Sequence, residues 1–234
     1  MRTHEAVLRR IEDDLARGDL RIGGRLPPER TLAEQLGVSR ASVREAIRVL
    51  EAMGVVRSGV GSGPDAGTVV VGDPAAPLSA ALRLHVGTRA LPVRDLVEAR
   101  VLLESWAVAT AASTGSGQVE LARAEELLVA MEEEELAPER FHALDAEFHV
   151  TLAAAAGNVL VSTVMVALRD AVRGYVVAAV PTLPDWSTTA HRLRAEHREV
   201  VRAVRAGDPA RAADAVRAHI EGFSAEARLV ASSG

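Results

Sequence analysis

Residues 26–53 read LPPERTLAEQLGVSRASVREAIRVLEAM, and this stretch decides the fold of the first third of the chain. Pro27 and Pro28 precede a short helix over about 29–36, packed through Leu32 and Leu36. Gly37-Val38-Ser39 makes a tight turn, and Ser39 is placed to cap a second helix over about 40–53, which Gly54 closes. Projecting the second helix at about 100° per residue from Arg40 puts Arg44 near 40°, Arg48 near 80° and Ala41 near 100°. Val43, Ala46, Ile47, Leu50 and Met53 fall between about 220° and 340°. One arc packs inward. The other offers Arg40, Ala41 and Arg44 at the N-terminal end, where a recognition helix meets base edges.

Before this stretch, Val7, Leu8, Ile11 and Leu15 mark one face of a helix over residues 3–17, ended by Gly18. After it, Val55-Val56-Arg57 and Thr68-Val69-Val70-Val71 flank a Gly-rich segment and read as a hairpin. Helix, turn, helix and hairpin is the order of a winged helix-turn-helix. Arg40 and Arg44 suit guanine, because the guanidinium fork matches O6 and N7 in the major groove. Ala41 is small enough to meet a thymine methyl. Arg30 is placed for a phosphate or base edge, and the tip within Gly59–Gly67 for close backbone approach. An isolated Arg stripe is usually a solvated face; here its place on the second helix favours DNA.

Residues 73–77, DPAAP, read as a linker between a DNA-binding domain at 1–72 and a second domain at 78–234. Helical patterns run over about 78–86, 93–113, 118–135, 139–156, 159–180, 187–206 and 209–231, with breaks at Gly or Pro and no convincing strand. The expected fold class is mainly α, a winged helix-turn-helix followed by an all-helical bundle. The chain has 234 residues, 48% of them hydrophobic and none Cys, which removes disulfides and thiolate metal sites together. No apolar run is long enough to span a membrane, so a cytoplasmic protein is expected. Net charge is −5. Residues 1–72 carry 11 Arg against 10 acids, and residues 73–234 carry 16 Arg against 22. The two domains therefore suit different partners.

Seven histidines are present, and three fall on inward stripes. Asp145 and His149 are i and i+4 on one helix face that Leu152 and Ala156 continue. His197 lies with Leu193, Val200 and Val204, and His219 with Ala212, Val216 and Phe223. A lone interior histidine is usually a satisfied core residue. Three with a carboxylate are costly to bury unless they share a cation. A His3Asp set suits Zn, with Ni, Mn or Fe as alternatives. By spacing alone His142 also lies on the Asp145 face, so arithmetic does not remove it. The acidic run Glu132–Glu135 reads as a solvated helix end, and Asn158 as a helix cap. Arg173, Tyr175 and Asn158 are weaker pocket candidates.

LPPER, the GVSR turn and VREA at their spacing resemble the signature of GntR-family bacterial transcription regulators over residues 3–71. The resemblance implies operator contacts for Arg30, Ser39, Arg40, Ala41 and Arg44. The tip GSGPDAG is longer than the family's compact glycine-threonine tip, so no wing contact is carried over. DAEFH (145–149), AAGN (155–158), EHREV (196–200) and RAHI (217–220) resemble the helical ligand-sensing (FCD-type) domain of the FadR subgroup, over residues 78–230. In its metal-containing members, positions matching Asp145, His149, His197 and His219 hold a divalent metal beneath an effector cavity. Members without the metal bind fatty acyl-CoA. Arg100 would otherwise be a surface residue paired with Glu98 or Glu104; the resemblance turns it toward the cavity, against a carboxylate effector.

The expected function is a homodimeric transcription regulator, a repressor, that binds an inverted repeat of double-stranded DNA and responds to a small organic acid held at the metal. The alternatives from other classes are a metal-dependent enzyme, in which the His3Asp site activates water, and a direct metal sensor. No separate general base is evident, and the fused DNA-reading domain weighs against an enzyme.

Overall fold

The computed structural model describes residues 3–59, 67–133 and 136–227. The chain divides into two compact units, Met1–Pro77 and Leu78–Gly234. The first contains α1 (Thr3–Arg17), α2 (Glu29–Leu36), α3 (Arg40–Ala52), β1 (Val56–Gly59) and β2 (Gly67–Val70). Val7 and Ile11 of α1, Leu32 of α2 and Val43, Ala46, Ile47 and Leu50 of α3 are buried together with Val56 and Val70 of the wing. Fully burying each Leu, Ile or Val stabilises by about 1.5–3 kcal/mol, which fixes the face of α3 that turns outward. Met53 departs from the expected apolar arc, being 56% exposed. The helix ends at Ala52, so the helical projection no longer governs residue 53.

Glycines make the turns that bracket α2 and α3 on their C-terminal sides. Gly37 caps α2 in the left-handed region at φ 63°. Gly54 follows α3 at φ 69°, and a Cβ there would lie 2.2 Å from the Asp73 carbonyl oxygen. Strands β1 and β2 are antiparallel, with Val56 opposite Val70 and Gly59 opposite Gly67. The expected wing-tip approach falls largely on residues 60–66, outside the described residues.

Helix α4 (Ala75–Gly87) starts three residues before the second unit, which holds the rest of it with α5 (Val93–Thr114), α6 (Gln118–Met131), α7 (Pro138–Ala154), α8 (Val159–Ala179), α9 (Trp186–Arg205), α10 (Pro209–Glu226) and a 3-10 turn at Val180–Thr182. Ala75–Pro77, expected in the linker, instead form the first turn of α4. Pro77 is tolerated there because first-turn N–H groups have no intrahelical partner. Helix α5 packs against α7, α8, α9 and α10, and Phe141, Phe148, Met131, Met165 and Leu193 fill the interior. Asn158 caps α8, accepting from Leu160 N at 3.0 Å and Val161 N at 3.2 Å. Of the acidic run, Glu132 pairs with Arg198 at 2.8 Å; residues 134 and 135 lie outside the described residues, as does the expected end of the last helix at 228–231. Among the described residues no helix is long and apolar enough to cross a membrane.

Candidate metal centre and DNA-facing surface

Three helices of the second unit bring the four sequence candidates together. Helix α7 supplies Asp145 and His149 one turn apart, α9 supplies His197 and α10 supplies His219. All four are buried, and one ligand atom from each lies within 4.8 Å of the others. His219 Nε2 stands 3.1 Å from His149 Nε2 and 3.1 Å from His197 Nε2. Asp145 Oδ1 is 3.1 Å from His197 Nε2 and 3.5 Å from His149 Nε2. Ligands about 2.0–2.1 Å from one cation are separated by about 2.9–3.4 Å in octahedral or tetrahedral geometry, so these separations fit a shared divalent ion.

Two carboxylates absent from the sequence candidates decide the protonation of the cluster. His149 Nδ1 donates to Glu104 Oε2, and His219 Nδ1 donates to Glu196 Oε2 at 2.8 Å. With a proton on each Nδ1, the His149 and His219 rings turn their Nε2 atoms toward one another. That arrangement is repulsive alone and becomes favourable around a cation, and carboxylates behind ligating histidines are a regular part of metal sites. His197 Nδ1 finds no hydrogen-bond partner among the described residues, so His197 is oriented by Phe148, with ring centroids 4.6 Å apart, and by Asp145.

Burial pushes His219 down to about 3 and lowers His197 as well, which keeps both neutral and able to ligate near neutral pH. For Asp145 burial acts the other way, but the Arg169 guanidinium holds its carboxyl well below the usual range. Burial likewise opposes ionisation of Glu104, and His149 and Arg100 outweigh it. The interior thus contains two carboxylates, Asp145 and Glu104, facing two guanidiniums, Arg169 and Arg100.

Arg100 is buried, and its Nε donates to Glu104 Oε1 at 3.0 Å. The pairing with Glu104 is that of an ordinary i,i+4 ion pair; the burial is not. Arg100 lines a narrow cavity of about 20 Å³ with His142, Asp145, Arg169, His219 and Phe223, space for about one water. Arg169 of α8 donates to Asp145 Oδ2. His142 is not among the four converging residues. It lies instead among Phe141, Trp186 and Phe223. Arg173 reaches a neighbouring small cavity, and Tyr175 is 39% exposed.

In the first unit, Ser39 caps α3 by accepting from Ser42 N at 3.1 Å. Arg30, Ser39, Arg40, Ala41 and Arg44 are all exposed. Arg44 Nε donates to Glu29 Oε2 at 2.8 Å, and Arg40 lies 3.7 Å from the same oxygen. Arg30 is 3.8 Å from Glu34. Exposed pairs of this kind contribute about 0–1 kcal/mol, so exchanging them for phosphate or guanine contacts costs little. Arg30 and Arg40 also line a concavity of about 780 Å³ with Arg25, Ser58 and Thr68. Arg25, bridged to β2 at Val69, had no periodicity to mark it in the sequence.

Family models match both units: "Bacterial regulatory proteins, gntR family" over residues 3–64 and the "FCD domain" over residues 95–222. The HTH-type transcriptional regulator LutR of Bacillus subtilis is 33% identical over 208 residues, covering 87% of this chain and 91% of LutR. The HTH-type transcriptional repressor NanR of Citrobacter rodentium is 30% identical, covering 94% of this chain and 84% of NanR. The solved structure of Streptococcus agalactiae GntR superposes with a TM-score of 0.68 at 25% identity, covering 94% of this chain and 97% of that one. The chain is a DNA-binding transcription regulator that belongs to the gntR family of bacterial regulatory proteins, of the FadR-like type that joins the DNA-reading unit to an FCD domain.

Proposed function

We propose that this regulator is a homodimeric repressor whose operator affinity is set by a small carboxylate bound at a divalent metal. The ligands are Asp145, His149, His197 and His219, and the observation that carries the reading is the meeting of three Nε2 atoms whose opposite nitrogens are fixed or buried. Three nitrogens and one oxygen suit Zn best. When bound, the cation supplies a Lewis-acidic anchor for an effector oxygen.

Charge argues for an acid as effector. The two interior carboxylates and two guanidiniums offset one another, so a divalent ion adds an excess that an anion relieves. Arg100 offers its fork to the far end of that anion. Arg169 must release Asp145 Oδ2 or move with α8 to admit it, since the cavity holds about one water. In the DNA-reading unit Arg40, Ala41 and Arg44 read bases, while Arg30 and Ser39 fix the helix on the backbone. Two copies on an inverted repeat supply the specificity one helix lacks.

The metal reading is tested by elemental analysis of purified parent and His197→Ala protein. One divalent ion per chain is expected in the parent and a sharply reduced content in the variant. A full complement in His197→Ala would remove His197 from the site.

A further inference from the structure

The cavity lined by Arg100 and His219 has a polar wall that no pairing accounts for. His142 of α7 is 8% exposed, and its Nε2 is buried with no hydrogen-bond partner among the described residues. His197 Nδ1 and Ser224 Oγ share that state, but neither residue lines this cavity. The ionic groups around the cavity are all engaged: Arg100 with Glu104, Arg169 with Asp145, and His219 with Glu196. Phe141, Trp186 and Phe223 surround the His142 ring at centroid distances of 6.0, 5.1 and 5.7 Å, which leaves it little freedom to turn toward another partner. A buried nitrogen left unpaired is destabilising. A Leu or Phe would fill the same aromatic niche without that cost.

His142, Asp145, Arg169 and Val176 line a second small cavity as well, which runs on toward Arg173. The two spaces share a wall, and His142 stands in it. Movement of Arg169 away from Asp145 would join them and leave the His142 ring beside the combined space. The chemistry of that wall narrows what the ring can meet. Burial lowers the His142 imidazole below its ordinary value, so it is neutral near pH 7. A carboxylate in this space is better held by the charged forks of Arg100 and Arg169 than by a neutral ring. An ammonium group would be set against both guanidiniums. A hydroxyl meets neither objection. It donates and accepts, so it satisfies Nε2 in either tautomer, and the space of about 20 Å³ suits a group the size of one water.

We propose that His142 reads a hydroxyl on the effector, so that this site takes a hydroxy acid, with the carboxylate turned to Arg100 and the hydroxyl to His142 Nε2. The inference rests on the carboxylate-effector reading above and adds to it a specificity-determining residue. The contribution is to discrimination more than to affinity. A ligand hydroxyl takes the place of water at the ring with an equivalent bond. An acid of the same shape without the hydroxyl fills the space and strands the nitrogen, and a buried polar group left unpaired in this way is what rejects such an analogue. A hydroxyl bound to the cation would favour the same acids, so the test must separate the ring from the metal.

That test is isothermal titration of the full, metal-loaded chain with matched acids: malate against succinate, and 2- and 3-hydroxybutyrate against butyrate. It is run on the parent, His142→Phe and His142→Leu, with circular dichroism and metal content as controls for folding and for an intact cluster. In the parent, the hydroxy acid of at least one pair should bind at least about fivefold more tightly than its partner. In His142→Phe that preference should fall to about twofold or less, through weaker binding of the hydroxy acid, while the acid without the hydroxyl binds no more weakly than in the parent. Should His142→Phe not fold, His142→Leu carries the same decision. A preference of equal size in the parent and a folded variant would place the hydroxyl on the cation or elsewhere and overturn the proposal. A parent that binds both members of every pair equally would overturn it too, while leaving the carboxylate reading intact. A parent that binds none of the acids would overturn both.

Discussion

At the scale of single residues, the cluster depends on charges that the sequence disguises. Arg100 with Glu104, and Arg192 with Glu196, have the i,i+4 spacing of surface ion pairs on many helices. Only packing shows that Glu104 is 2% exposed and fixes a histidine. Glu104→Ala should lower metal affinity by about 10–100-fold, measured by competition with a chromophoric chelator; unchanged affinity would reduce Glu104 to a core filler. The histidines set the pH dependence. His219 titrates at about 3 in the fold against 6.5 ordinarily. Between those values the unfolded chain binds the extra proton, so stability rises with pH across the window and is lost as pH falls from 6.5 toward 3. Metal binding needs the same neutral imidazoles and should fail in the same direction. A metal-free thermal midpoint that stays flat from pH 7 to about 4 would contradict this account.

At the scale of elements, the helix-turn-helix was legible because its signals are local. The cap at Ser39, the left-handed Gly37 and the apolar spacing of Val43, Ile47 and Leu50 all act within a few residues of one another. Facing of Asp145, His149, His197 and His219 toward one interior was legible for the same reason, since each helix carries its own stripe. What was not legible depends on tertiary contact: Arg169 crossing from α8 to Asp145, the aromatic surroundings that separate His142 from the cluster, and the start of α4 inside DPAAP. Two predictions belong here. Arg40→Ala and Arg44→Ala should each weaken operator binding by about 1–3 kcal/mol if they make bidentate guanine contacts, with little change in thermal stability. Parent-like operator affinity in both would remove them as base readers. Gly54→Ala should destabilise the first unit by more than about 1 kcal/mol, because φ 69° and the Asp73 carbonyl oxygen both oppose a Cβ. Urea unfolding followed by circular dichroism measures it, and a midpoint equal to the parent's would show the turn relaxing freely.

At the scale of the whole molecule, a DNA-reading unit is joined to a helical unit whose interior charges suit a cation and an acid. On the proposed function, an acid bound there controls DNA affinity through Arg100. A coupling of about 1–3 kcal/mol, typical between linked sites, corresponds to about 5–150-fold weaker operator binding when the effector is present. The most direct measurement is an operator titration by fluorescence anisotropy, at fixed metal and rising concentrations of small hydroxy- and dicarboxylates, in the parent and in Arg100→Lys. The lysine keeps a positive charge beside Glu104 but removes the planar fork. At least one acid should release the parent from its operator, Arg100→Lys should need about tenfold or more of the same acid, and both should bind DNA equally without it. An acid that releases parent and variant at the same concentration, or a metal-loaded parent that no carboxylate releases, would contradict the proposed function.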